Sequence, residues 1–68
     1  MMTTAARPRI EASYAEWRER AAGVRVAYER WRAAPKGHRA FEHSCYALAL
    51  NREQRAAERY RATLAGDR

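Results

Sequence analysis

The densest grouping of residues able to do chemistry is His38, Glu42, His43 and Cys45. Imidazole, carboxylate and thiolate are all zinc ligands, and a thiolate beside an imidazole is a nucleophile pair. The spacing argues against both. On a helix His38 and Glu42, four apart, share a face, but His43 lies about 100° around from Glu42 and Cys45 points toward the packed side. Residues two apart, such as His43 and Cys45, do not face each other at all. The single aspartate is Asp67, at the frayed end, so no Ser-His-Asp set can be assembled. There is no glycine-rich phosphate loop. The expectation is a protein with no catalytic residue, no bound metal and no cofactor, in which Cys45 is a small core side chain.

Arginine is the other residue type with chemical reach. The chain has 14 basic against 8 acidic residues, a formal net charge of +6. The surplus is even along the sequence, +3 on each side of the Ala34–Pro35 junction, and no basic tail exists to wrap a polyanion. Arg18, Arg25 and Arg32 recur every seventh residue, about 10.5 Å apart on a helix. Arg52, Arg55, Arg59 and Arg61 cluster near the end. Guanidinium groups take phosphate in a bidentate grip, which makes Arg18, Arg20, Arg25, Arg52, Arg55 and Arg59 the candidate phosphate contacts. The competing expectation is a solvated face laced by pairs at helical spacing. Glu16–Arg20, Arg25–Glu29, Glu29–Arg32, Arg39–Glu42, Arg55–Glu58 and Glu58–Arg61 all qualify.

What must position these side chains is a small helical scaffold. Sixteen of the 68 residues are alanine and five are glycine or proline. The strong helix formers dominate, and β-branched residues are too few for a sheet. No stretch approaches the ~18 consecutive apolar residues of a membrane span. A basic amphipathic helix lying on a lipid surface is disfavoured too, because its apolar side is Ala- and Tyr-rich and needed for packing. A lone cysteine and an N-terminal segment (residues 1–9) without an apolar run fit a reducing compartment, and the expected location is cytoplasmic.

The strongest punctuation is Ala34-Pro35-Lys36-Gly37, since proline disfavours helix at the residue before it. This predicts a first helix over about 8–34 and a second over about 37–65, with Pro8 in an opening turn and Gly66 as a stop. In the first helix Ile10, Tyr14, Trp17, Ala21, Val24, Tyr28 and Trp31 are spaced 4, 3, 4, 3, 4, 3, a seam sustained over three heptads. In the second, Phe41, Cys45, Leu48, Ala49, Ala56, Tyr60 and Leu64 are expected to face that seam. Setting Trp31 opposite Phe41 puts Val24 on Leu48, Ile10 on Leu64, and Arg55 beside Trp17. Tyr46, Leu50 and Ala57 then form a second strip left for an outside partner.

The expected fold is therefore all-α, one domain: an antiparallel two-helix hairpin with a coiled-coil-like seam. A hairpin this short buries little surface alone, so it is expected to dimerise into a four-helix bundle or to pack on another helical protein. The leading functional expectation is a non-enzymatic interaction or regulatory module, with no membrane and no small-molecule substrate. The alternative is a basic regulator that binds RNA or DNA phosphates through the arginine patch.

Overall fold

A computed structural model describes residues 6–66. Helix α1 runs Ala6–Ala33, a single 3-10 turn covers Lys36–His38, and helix α2 runs Arg39–Gly66. Among the described residues only Ala34 and Pro35 lie outside helical structure. The two long helices pack antiparallel as a rod 55 × 13 × 11 Å. The predicted all-α hairpin is the fold.

The hinge is as local sterics require. Pro35 is extended, with φ −61° and ψ 157°, and the helix has already ended at Ala33. The Ala34 N–H donates to the Trp31 carbonyl at 3.2 Å, and the His38 N–H donates to the Pro35 carbonyl at 2.8 Å. These bonds satisfy backbone groups orphaned by the break. Gly37 does not adopt a positive φ, so the turn does not use glycine's extra freedom. The helix ends differ modestly from expectation. Helix α1 starts at Ala6, with Pro8 inside the first turn, where a missing N–H costs nothing. Helix α2 continues through Gly66 instead of stopping before it.

The larger correction is the rotation of α2. Phe41 is 68% exposed and Leu48 51% exposed, and Leu64 is also exposed, so none of the three forms the seam. Cys45 is half-buried at its edge. The residues facing α1 are instead Glu42, Tyr46, Ala49, Glu53, Ala56, Tyr60 and Thr63, each half-buried or better and spaced 4, 3, 4, 3, 4, 3. Near the hinge that is a turn of one residue, about 100°, from the expected Phe41–Cys45–Leu48 line, whereas Ala49, Ala56 and Tyr60 stand in the seam as expected. Leu50 and Ala57 are half-buried beside it. Tyr46, Leu50 and Ala57 thus belong to the contact with α1 and do not form a free strip. The pairing of Trp31 with Phe41 is replaced by Trp31 on Tyr46, their ring centroids 5.4 Å apart.

Candidate interaction surface

The hairpin is held by two copies of one aromatic arrangement. Trp17 stacks on Tyr60 with centroids 5.6 Å apart and 14° between planes. Tyr14 sits against both, 6.0 Å from Trp17 and 5.4 Å from Tyr60. Fourteen residues away along each helix, Trp31 stacks on Tyr46 at 5.4 Å and 18°, and Tyr28 sits 6.1 Å from Trp31 and 5.7 Å from Tyr46. Such pairs add about 0.5–1.5 kcal/mol each beyond the area they bury. Fourteen residues are two heptads, or about 21 Å of helix, so both clamps fall on the same seam.

The clamps differ at their flanks. The Trp17 indole N–H donates to Glu53 Oε1 at 3.1 Å. The position fourteen residues before Glu53 is Arg39, whose guanidinium carbon lies 5.9 Å from the Trp31 ring centroid. Among the described residues the cation–π contact is Arg39 on Trp31, in place of the expected Arg55 on Trp17. His43 adds an edge contact to Trp31 at 4.8 Å. The His43 ring thus sits at the edge of the Trp31–Tyr46 stack. Among the described residues no group of three His, Cys, Asp or Glu side chains is gathered closely enough to hold a metal ion. The hydroxyls of Ser13, Ser44 and Thr63 donate to carbonyls of their own helices.

The arginines are arranged otherwise than either expectation held. Among the described residues one carboxylate lies within 4.0 Å of a guanidinium, and it is an interhelical pair, Arg59 Nε to Glu16 Oε1 at 3.0 Å. None of the six intrahelical pairs closes to that distance. The Glu16 carboxyl is held below its ordinary pKa, first by the hydrogen bond from Arg59 and then by the nearby charges of Arg59 and Arg20. Nor do the candidate phosphate contacts share one patch. Arg20, Arg52, Arg55 and Arg59 lie on one broad face of the rod, grouped by the groove that joins Glu19, Arg20 and Gly23 to Ala49 and Arg52 and by the Glu16–Arg59 bridge. Arg18 and Arg25 lie on the other, beside Tyr14 and Tyr28.

The face that carries Arg20 and Arg52 continues toward the hinge as an apolar surface. Phe41 borders a recess with Arg30, Ala34 and Pro35. Leu48, 51% exposed, stands two turns further along α2 on the same side. Gly23 lies on this face in the interior of α1, where glycine costs about 1 kcal/mol relative to alanine. A Cβ built on Gly23 would meet nothing within 4 Å, so packing inside the hairpin does not call for glycine there. The recesses along the rod are open grooves. The large side chains Phe41 and Leu48 thus lie on this exposed face and not on the expected packed side of α2. Comparison with protein-family models, with curated proteins and with solved structures finds no match to the chain.

Proposed function

We propose that the protein is a non-enzymatic helical interaction module that works by self-association and by docking on other protein helices. One observation carries the reading. Among the described residues Ala56 alone is fully buried, while Phe41, Leu48, Val26, Leu64, Tyr14 and Tyr28 are all more than 40% exposed. A two-helix rod has a seam but no interior, and burial of apolar surface is the main force that offsets chain entropy. A second molecule supplies the missing layer, as in a four-helix bundle. Among the described residues no helix is long and apolar enough to cross a membrane, and the free thiol of Cys45 suits a reducing compartment such as the cytoplasm.

The thermal midpoint by circular dichroism tests this. Folding coupled to association makes the midpoint rise with protein concentration, and a midpoint constant from 2 to 200 µM overturns the reading.

A second reading, binding of RNA or DNA, is favoured by the arginines that lack carboxylate partners, Arg20, Arg52 and Arg55 first among them. Phosphate contacts of that kind weaken steeply between about 50 and 200 mM salt through counterion release. Titration of a generic RNA duplex across that range separates the two readings.

A further inference from the structure

The repeat of the aromatic clamp supplies an internal control. The half of the rod away from the hinge holds the same Tyr-Trp-Tyr cluster, yet has Arg55, Arg59 and Ala62 where the hinge half has Phe41, Cys45 and Leu48. The clamp therefore forms without large apolar side chains at those positions. Phe41 and Leu48 serve something outside the hairpin.

Resting on the self-association reading, we infer that a second copy of this chain covers the Phe41–Leu48 face, related by a two-fold axis along the rod. Three observations choose this occupant and this geometry. The first is area. The chain exposes 5570 Å², about 1,150 Å² more than a compact monomer of its 7.9 kDa, whereas each partner of a standard stable interface buries about 800 Å². The second is relief. Glu16 meeting Arg59 and Trp31 lying between His43 and Tyr46 set Phe41 level with Ala34 and Leu48 level with Ala27. Phe41 and Leu48 on α2 thus stand beside Ala34 and Ala27 on α1, with Gly23 further along and Arg30 at the rim of the Phe41 recess. A two-fold along the rod lays α2 of each copy over α1 of the other, so Phe41 and Leu48 of each copy meet Ala34 and Ala27 of the other, the self-complementarity an isologous interface requires. A two-fold across the rod would set Phe41 and Leu48 against their own kind. The third is Gly23 itself, a helix-interior glycine on this face with open space above it, which a close approach by the second copy explains.

The same geometry brings the ends carrying Arg20, Arg52, Arg55 and Arg59 side by side, offset only in part by Glu16 and Glu19. Added salt screens that repulsion, so dimerisation tightens as salt rises.

Sedimentation equilibrium on the full chain tests the assignment. The native protein runs as a dimer, Phe41→Glu combined with Leu48→Glu runs at monomer mass, and Ala47→Glu on the exposed outer side of α2 stays dimeric. Gly23→Leu adds a good helix former with bulk the free hairpin accommodates, and raises the dimer dissociation constant roughly tenfold or more through steric block. Its retained helix content keeps the test decisive if the double variant fails to fold. A double variant or Gly23→Leu as dimeric as the native chain overturns this face while leaving self-association standing. A monomeric native chain overturns both.

Discussion

The Trp17 indole lies nearly parallel to the Tyr60 ring, 5.6 Å away and 14° out of plane. Trp31 meets Tyr46 in almost the same way one double heptad further along. Each helix thus supplies one layer of each stack, and separating the helices costs both. Trp17→Ala and Trp31→Ala are each expected to destabilise the hairpin by ~3–5 kcal/mol, as large aromatic truncations in packed sites do. Phe41→Ala, by contrast, removes a ring that is mostly solvated in the single chain, and at monomeric concentrations should change stability by less than ~1 kcal/mol. Urea unfolding followed by circular dichroism measures all three. A cost for Phe41→Ala matching that for Trp17→Ala would place Phe41 back in the seam.

The hydrogen bond from Trp17 to Glu53 ties a carboxylate into an otherwise aromatic cluster. Glu53→Ala leaves a half-buried indole N–H without its partner and should cost about 1–2 kcal/mol. Glu53→Gln keeps an acceptor and should cost less. The emission maximum of Trp17, read in a Trp31→Phe background, should shift for the alanine variant and barely move for glutamine.

Acid should loosen the bridge between the helices in one direction only. The Glu16 carboxyl is depressed by Arg59, so the stability it contributes is present above the unfolded-state carboxylate pKa. It is lost as the pH falls through the lower, folded-state value. Because the pair is solvent-exposed, the effect is small and screened by salt. Carboxyl-carbon NMR titration should find Glu16 titrating below the ordinary glutamate range in the native chain and returning toward it in Arg59→Gln. An unchanged Glu16 titration in that variant would mean that Arg59 is not its partner.

How much of this was legible in the sequence differs between the two helices. The 4-3 pattern from Ile10 to Trp31 identifies the packed side of α1, with Tyr14 and Tyr28 more than 40% exposed at its edge, and Pro35 identifies the break. Helix α2 misled because apolarity and packing diverge there. Three of its large apolar side chains, Phe41, Leu48 and Leu64, are exposed, whereas its seam includes Glu42, Glu53 and Thr63 beside Tyr46 and Tyr60. A seam anchored by tryptophan and tyrosine tolerates polar neighbours, since the ring edges carry polar atoms that carboxylates can satisfy. The usable signal was the repeat. Tyr14-x-x-Trp17 recurs fourteen residues later as Tyr28-x-x-Trp31, and Tyr46 and Tyr60 are fourteen apart as well. Matching those intervals brings each tyrosine of α2 to a tryptophan and sets the rotation of the helix. The pairing of arginines was not legible, because helical spacing brings charges within reach but exposed long side chains gain little by closing.

The proposed second molecule gives an interior to a rod that has none of its own. Sedimentation equilibrium of the native chain at ~50 µM, in 50 and 300 mM salt, tests that most directly. A mass twice the 7.9 kDa of the chain, with tighter association at the higher salt, is the predicted result. A helical species at 7.9 kDa in both buffers would contradict it.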